Sequence, residues 1–183
     1  MAVALGVGLV LTLSGALNLQ SAICNLQSTP VVRAGSGLIL QNGGTVTLAV
    51  EALGVEGLGA ATVVVGYDPA VLEVAGCRPN PEFDLGLCNP EFDRDEDGEP
   101  DAVRFNVVSL EGLSTADDVP LNLADITWAV AGRPDAGTVT TLEIEVLTFD
   151  RWDATPIAVS AENGQVTVVA GAAHTVFLPL VGD

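Results

Sequence analysis

Lysine is absent from these 183 residues and arginine occurs six times, against 24 acids and a formal charge of −18. A surface that neutralises several phosphates, or that adheres to an anionic membrane, needs clustered cations, so both partner classes are set aside. The single histidine, His174, leaves no basis for His-based nucleophilic or acid–base chemistry, nor for a multi-His metal site. Aromatics make up only 4% of the chain. No apolar run is long enough for a confident membrane span, and no stretch of ordinary length has helical periodicity. What is abundant is aliphatic: 49% of residues are hydrophobic, too many for an acidic disordered chain and enough for one globular domain with a real core.

Ala2–Leu13 is uncharged and apolar and is followed by small and polar residues, so residues 1–24 read as an export signal. A first buried strand is the alternative. Residues 25–35 read as a linker, 36–170 as the folded domain, and 171–183 as a linker with an apolar tail. That tail suits a last edge strand, an assembly tag or the stub of a longer chain, and His174 within it is an incidental polar residue. Cys24 leaves with the signal or stays in the arm after it.

Between Ser36 and Val169 short runs of Val, Ile, Leu and Thr are punctuated by Gly, Pro, Asn and Asp, the pattern of an all-β, antiparallel sandwich. Strands are expected over Thr45–Ala52, Thr62–Tyr67, Val103–Ser109 and Leu121–Val130. In Leu142–Val146 the two faces are explicit, with Leu142, Ile144 and Val146 inward and Glu143 and Glu145 in water. Asn163-Gly164, between Ile157–Ala161 and Gln165–Val169, predicts a two-residue type I′ hairpin.

Residues 77–101 read as an acidic insertion carrying nine of the 24 acids, with Asn-Pro-Glu-Phe-Asp at 80–84 and again at 89–93, a local duplication that lengthens a loop. Its end, Asp93-x-Asp95-x-Asp97-Gly98-x-x-Asp101, concentrates hard oxygen ligands on a chain that Gly98 lets turn sharply, which fits Ca²⁺ with the Glu99 carbonyl as a further ligand. Position 12 of an EF-hand would be Arg104, so the loop is not a complete one. It resembles instead the calcium loops of thrombospondin type 3 repeats, with Glu91 and Asp84 as candidates for an added ligand. A solvated acidic tip is the alternative, although four close like charges repel without a cation. Cys77 and Cys88 flank the first half of the insertion and are expected to form a disulfide in an exported protein, with two free buried thiols the alternative and zinc unsupported by the spacing.

Three motifs coincide with one family over about Thr45–Val168. They are Val63-Val64-Val65-Gly66-Tyr67-Asp68-Pro69-Ala70-Val71-Leu72-Glu73-Val74, Leu123-Ala124-Asp125-Ile126-Thr127-Trp128-Ala129-Val130, and Asn163-Gly164-Gln165-Val166-Thr167-Val168. The chain resembles the cohesin domains of bacterial extracellular scaffolds. The resemblance implies a nine-stranded jelly-roll sandwich with a non-catalytic role. In that role one sheet face binds a dockerin-type module or another extracellular protein, within a secreted or cell-surface polysaccharide-degrading assembly. Ala60 and Thr62 stand where the best-known class has its Asn and Asp anchors, and the calcium loop is an addition to the family pattern. Thr62, Asn106, Glu143 and Glu145 are the candidate face residues, and Trp128 is core. Trp152, in a polar turn, is the candidate exposed aromatic and makes a carbohydrate-binding or adhesive module the rival reading. A glycosidase would need one carboxyl raised in pKa inside a cleft, which acids crowded on a loop and exposed faces do not offer.

Overall fold

A computed structural model describes residues 29–115 and 119–171. The expected signal at 1–24, Cys24, His174 and the tail lie outside the described residues. Within them eleven strands and no helix occur: β1 (Val31–Ala34), β2 (Gly37–Leu40), β3 (Thr45–Leu53), β4 (Leu58–Gly66), β5 (Leu72–Pro79), β6 (Leu85–Phe92), β7 (Ala102–Leu113), β8 (Leu121–Val130), β9 (Val139–Arg151), β10 (Ser160–Glu162) and β11 (Gly164–Val169). One sheet has the order β10-β1-β3-β8-β5 and the other β2-β11-β9-β4-β7-β6. The expected all-β sandwich is what forms. Its ladders are antiparallel except for two parallel pairs, β1 with β10 and β2 with β11.

The inward faces follow the period of two. On β4, Ala61, Val63 and Val65 are buried; they lie beside Val103, Phe105 and Val107 of β7 and Leu142 and Ile144 of β9 on the same inner face. Across from them lie Leu123, Ile126 and Trp128 of β8. Trp128 is only 1% exposed and takes Tyr67 edge-on at a centroid distance of 5.2 Å, so it is core as expected.

Three local expectations are corrected. The stretch read as a linker contributes β1, whose Val32 is fully buried, because alternation over four residues is too short to stand out. The acidic insertion is not one loop: residues 77–79 end β5 in one sheet and 85–92 form β6 in the other, which leaves 80–84 as the connection between them and 93–101 as the acidic loop. Finally, Asn163-Gly164 is not a hairpin turn. β10 belongs to the five-stranded sheet and β11 to the six-stranded one, and neither Asn163 nor Gly164 has a positive φ. The chain crosses between sheets here, beside a matching crossing at Gly35-Ser36. Asn163 Oδ1 accepts the Ile144 N–H at 3.0 Å, and the Gln165 N–H donates to Ser36 Oγ at 2.9 Å. Gly164 is needed for closeness: a Cβ there would fall inside contact distance of the Gly35 carbonyl oxygen.

Candidate functional site

Because Val103, Phe105 and Val107 point inward, Arg104, Asn106, Val108 and Leu110 of β7 point outward, onto the open face of the six-stranded sheet. The registers place Ala60, Thr62 and Val64 of β4 beside them, and Leu85, Leu87 and Asn89 of β6 on the far flank. On β9 the same face carries Glu143, Glu145, Thr148 and Asp150, with Leu147 in a bulge. Thr62, Asn106, Glu143 and Glu145 are thus brought onto one surface. Thr62 Oγ1 donates to Asn106 Oδ1 at 2.8 Å, which fixes both side chains at its centre.

Trp152 is 65% exposed but stands outside that group, past the end of β9. Its N–H donates to the Gly57 carbonyl at 3.1 Å, and its ring lies against Gly57 and Gly112. The acidic loop is at the other end, where Gly66 pairs with Ala102, about 25 Å away along the strands.

Sequence reasoning missed the leucines. Leu85, Leu87 and Leu110 are 65–72% exposed although alternation with Gly86 and Cys88 gives them the look of an inward face. The disulfide holds the signal that identifies them. Cys77 of β5 and Cys88 of β6 are bonded, with Cα atoms 6.2 Å apart, and they tie one sheet to the other. Cys88 must therefore face inward, which turns Leu85 and Leu87 outward.

In the loop, carboxylate oxygens of Asp93, Asp95 and Asp97 lie within 4.8 Å of one another. The Gly98 N–H donates to Asp93 Oδ2 at 2.8 Å and the Glu99 N–H to Asp97 Oδ1 at 2.8 Å, so the backbone wraps around the three side chains. Gly98 has a φ of 97°, a conformation that favours glycine. Asp93 Oδ1 is buried without a hydrogen-bond partner. The Asp97 N–H acts to lower the Asp95 pKa, but desolvation and the charges of Asp97, Asp101 and Asp93 outweigh it and hold it above the ordinary carboxylate value.

Asp101 stands outside this cluster. It accepts the Arg94 N–H at 2.9 Å and Arg94 Nε at 3.0 Å, while Arg94 Nη1 reaches Glu143 at 2.9 Å. Burial acts to raise the Asp101 pKa, but the Arg94 N–H and guanidinium overcome it and leave the carboxyl below its usual range. Asp84, a candidate added ligand, is at the opposite end of β6 from Asp93, where it accepts the Leu110 N–H, and cannot join the cluster. Glu91 remains near the loop, its N–H turned to Asn89 Oδ1.

Comparison with known proteins adds the following. The model of the family described as Cohesin domain matches residues 36–168. No curated protein matches the sequence. Similar solved structures include a non-cellulosomal cohesin from the hyperthermophilic archaeon Archaeoglobus fulgidus, at 15% identity and a TM-score of 0.62, covering 78% of this chain and 92% of that one. The seventh ScaB type I cohesin from Pseudobacteroides cellulosolvens is 22% identical with a TM-score of 0.59, covering 78% and 94%. A type I cohesin–dockerin complex from Clostridium thermocellum matches at 17% identity and a TM-score of 0.61, covering 78% and 94%. At these identities the structures establish a shared fold.

Proposed function

This chain belongs to the cohesin domain family, and from that premise we propose that it is a non-catalytic binding module that engages a dockerin-type module through the outer face of β9-β4-β7-β6. The observation that carries the reading is the family match over 36–168 together with an open sheet face that exposes three leucines. Isolated apolar side chains are ordinary on a surface, but a cluster on one flat face marks an interaction site. A disulfide between the sheets suits an oxidising, extracellular setting. The direct test is biolayer interferometry of the chain against a panel of recombinant dockerin modules. Saturable binding that L87D abolishes supports the reading, and no binding by any member overturns it.

A structural calcium ion in the 93–101 loop is the second part of the proposal. It is supported by three converging carboxylates, one of them with a buried, unpartnered oxygen, on a chain turned by Gly98. Asp93, Asp95 and Asp97 supply side-chain oxygens and Glu99 its carbonyl. An ion bound only to the native state raises the melting temperature. The chain alone is therefore expected to melt higher in calcium than in chelator, and D95N to remove the difference; equal midpoints would refute it.

The exposed Trp152 supports one rival, a carbohydrate-binding surface. Trp128 is buried, so a sugar-dependent change in tryptophan emission would report Trp152 alone, and polysaccharide titrations would decide it.

A further inference from the structure

Glycine follows an asparagine or aspartate at Asn42-Gly43, Asp97-Gly98 and Asn163-Gly164. At such a step the glycine nitrogen has a short path to the preceding side-chain carbonyl carbon, with no Cβ in the way. The path is open only where that nitrogen and that side chain are not already held. The fold treats the three steps differently. Asn163 Oδ1 accepts the Ile144 N–H at 3.0 Å, and Gly164 is buried and paired with Leu142 of β9. Asp97 Oδ1 accepts the Glu99 N–H, and the Gly98 N–H is spent on Asp93 Oδ2, both at 2.8 Å. Asn42 has neither restraint. It is exposed in the turn between β2 and β3, and among the described residues neither its side chain nor the Gly43 N–H makes a hydrogen bond. Gly43 has a φ of 95° and nothing within 4 Å of an added Cβ, and the turn is closed only by a long bond, 3.3 Å, from the Gly44 N–H to the Leu40 carbonyl.

We propose that Asn42 is a site of spontaneous covalent modification, deamidating through a cyclic imide to isoaspartate and aspartate, while Asn163 is protected by the sheet crossing. The Gly43 nitrogen attacks Asn42 Cγ, its proton passes to the departing amide, the Cγ–Nδ2 bond breaks and ammonia leaves. Water then opens the ring. Cleavage on the Cγ side gives aspartate; cleavage on the backbone side gives isoaspartate, in which the main chain runs through Cβ and Cγ. The sum is one water consumed and one ammonia released, with no change of oxidation state. Either product adds a negative charge where Asn42 and Arg133 line one open recess, and Arg133 has no acidic partner among the described residues. Isoaspartate also lengthens the backbone inside the turn that ends β2, an edge strand held by β11 on one side only. The proposal is independent of how the module binds a partner.

The test incubates the full chain in warm, mildly alkaline buffer, folded and in guanidinium, then reduces it and digests it with trypsin. Cleavage after arginine puts the two asparagines in separate peptides, 34–78 and 152–183. Mass spectrometry follows the exchange of amide for acid at each, and electron-transfer fragmentation separates isoaspartate from aspartate. In the folded chain Asn42 is expected to convert about tenfold or more faster than Asn163, whose conversion requires local opening of the ladder. In guanidinium the two should convert alike. G43A should slow Asn42 by about fivefold or more, because a Cβ then obstructs the attacking nitrogen. Asn163 keeping pace with Asn42 in the folded chain, or an unconverted Asn42, would overturn the proposal. A preference for Asn42 that persists in guanidinium would assign the difference to flanking sequence and overturn the protective role of the crossing. Aspartate formed without isoaspartate would mean direct hydrolysis and overturn the ring route.

Discussion

Replacing Gly164 by alanine tests the sheet-to-sheet crossing directly. The added Cβ would overlap the Gly35 carbonyl oxygen and lie 2.9 Å from Ala34 Cβ, so two backbone segments must separate. Overpacking of this kind costs about 1–3 kcal/mol. Separation also strains the bond from the Gln165 N–H to Ser36 Oγ and the adjoining ladder to Leu142, worth about 1 kcal/mol more. The total is about 3 kcal/mol, which for a domain of this size lowers the melting temperature by roughly 10 °C. Gly43 is the control: its φ is 95° with nothing within 4 Å of an added Cβ, so G43A carries only the left-handed backbone cost of about 1 kcal/mol. Thermal melts followed by circular dichroism, with urea titration for free energies, compare the two. If G164A proves no worse than G43A, Gly164 is acting as a turn residue and the crossing described above is wrong.

Other consequences can be measured separately. Replacing both Cys77 and Cys88 by serine is expected to lose about 2–3 kcal/mol through the freer unfolded chain, read by urea titration, with no loss of the β spectrum. Tyr67 is the only tyrosine, so phenolate absorbance reads it alone; desolvation, aided by Asp101, Glu73 and Glu91, raises its pKa above 10.0. Because the folded value is the higher one, its contribution to stability is complete below pH 10 and is lost as pH climbs through the folded pKa. A titration midpoint at or below 10.0 would contradict that environment. R94A removes two ion pairs on partly exposed groups and should cost about 1 kcal/mol or less, shrinking further in high salt.

The parts legible in the sequence were those where a local pattern decides the structure. Leu142, Ile144 and Val146 against Glu143 and Glu145 announced both faces of β9, and β8 was bounded correctly because Leu121, Leu123, Ile126, Trp128 and Val130 recur through ten residues between Pro120 and Gly132. β1 and β2 escaped notice because four residues carry too little periodicity. Asn163-Gly164 misled for a different reason: which sheet a strand joins is settled by distant partners, here Val31–Arg33 for β10 and Val139–Leu142 for β11, and no dipeptide encodes that. Thr62, Asn106, Glu143 and Glu145 share one outer face because polar residues alternate with apolar ones there, while the exposed leucines stayed hidden because an apolar residue in a strand reads as core until the disulfide fixes the opposite side.

The paired crossings also determine how the module carries mechanical load. β1 and β2 run in the same direction as their neighbours β10 and β11, so the chain enters the described sandwich at one end, by Val31, and leaves at the other, by Val169. Tension between these two points slides parallel neighbours past each other. The hydrogen bonds of β1-β10 and β2-β11 are then strained together in shear, and none can open first as in a peeled hairpin. A tether built on this module resists pulling along its length as a block, and its breaking point is set by the whole ladder at once.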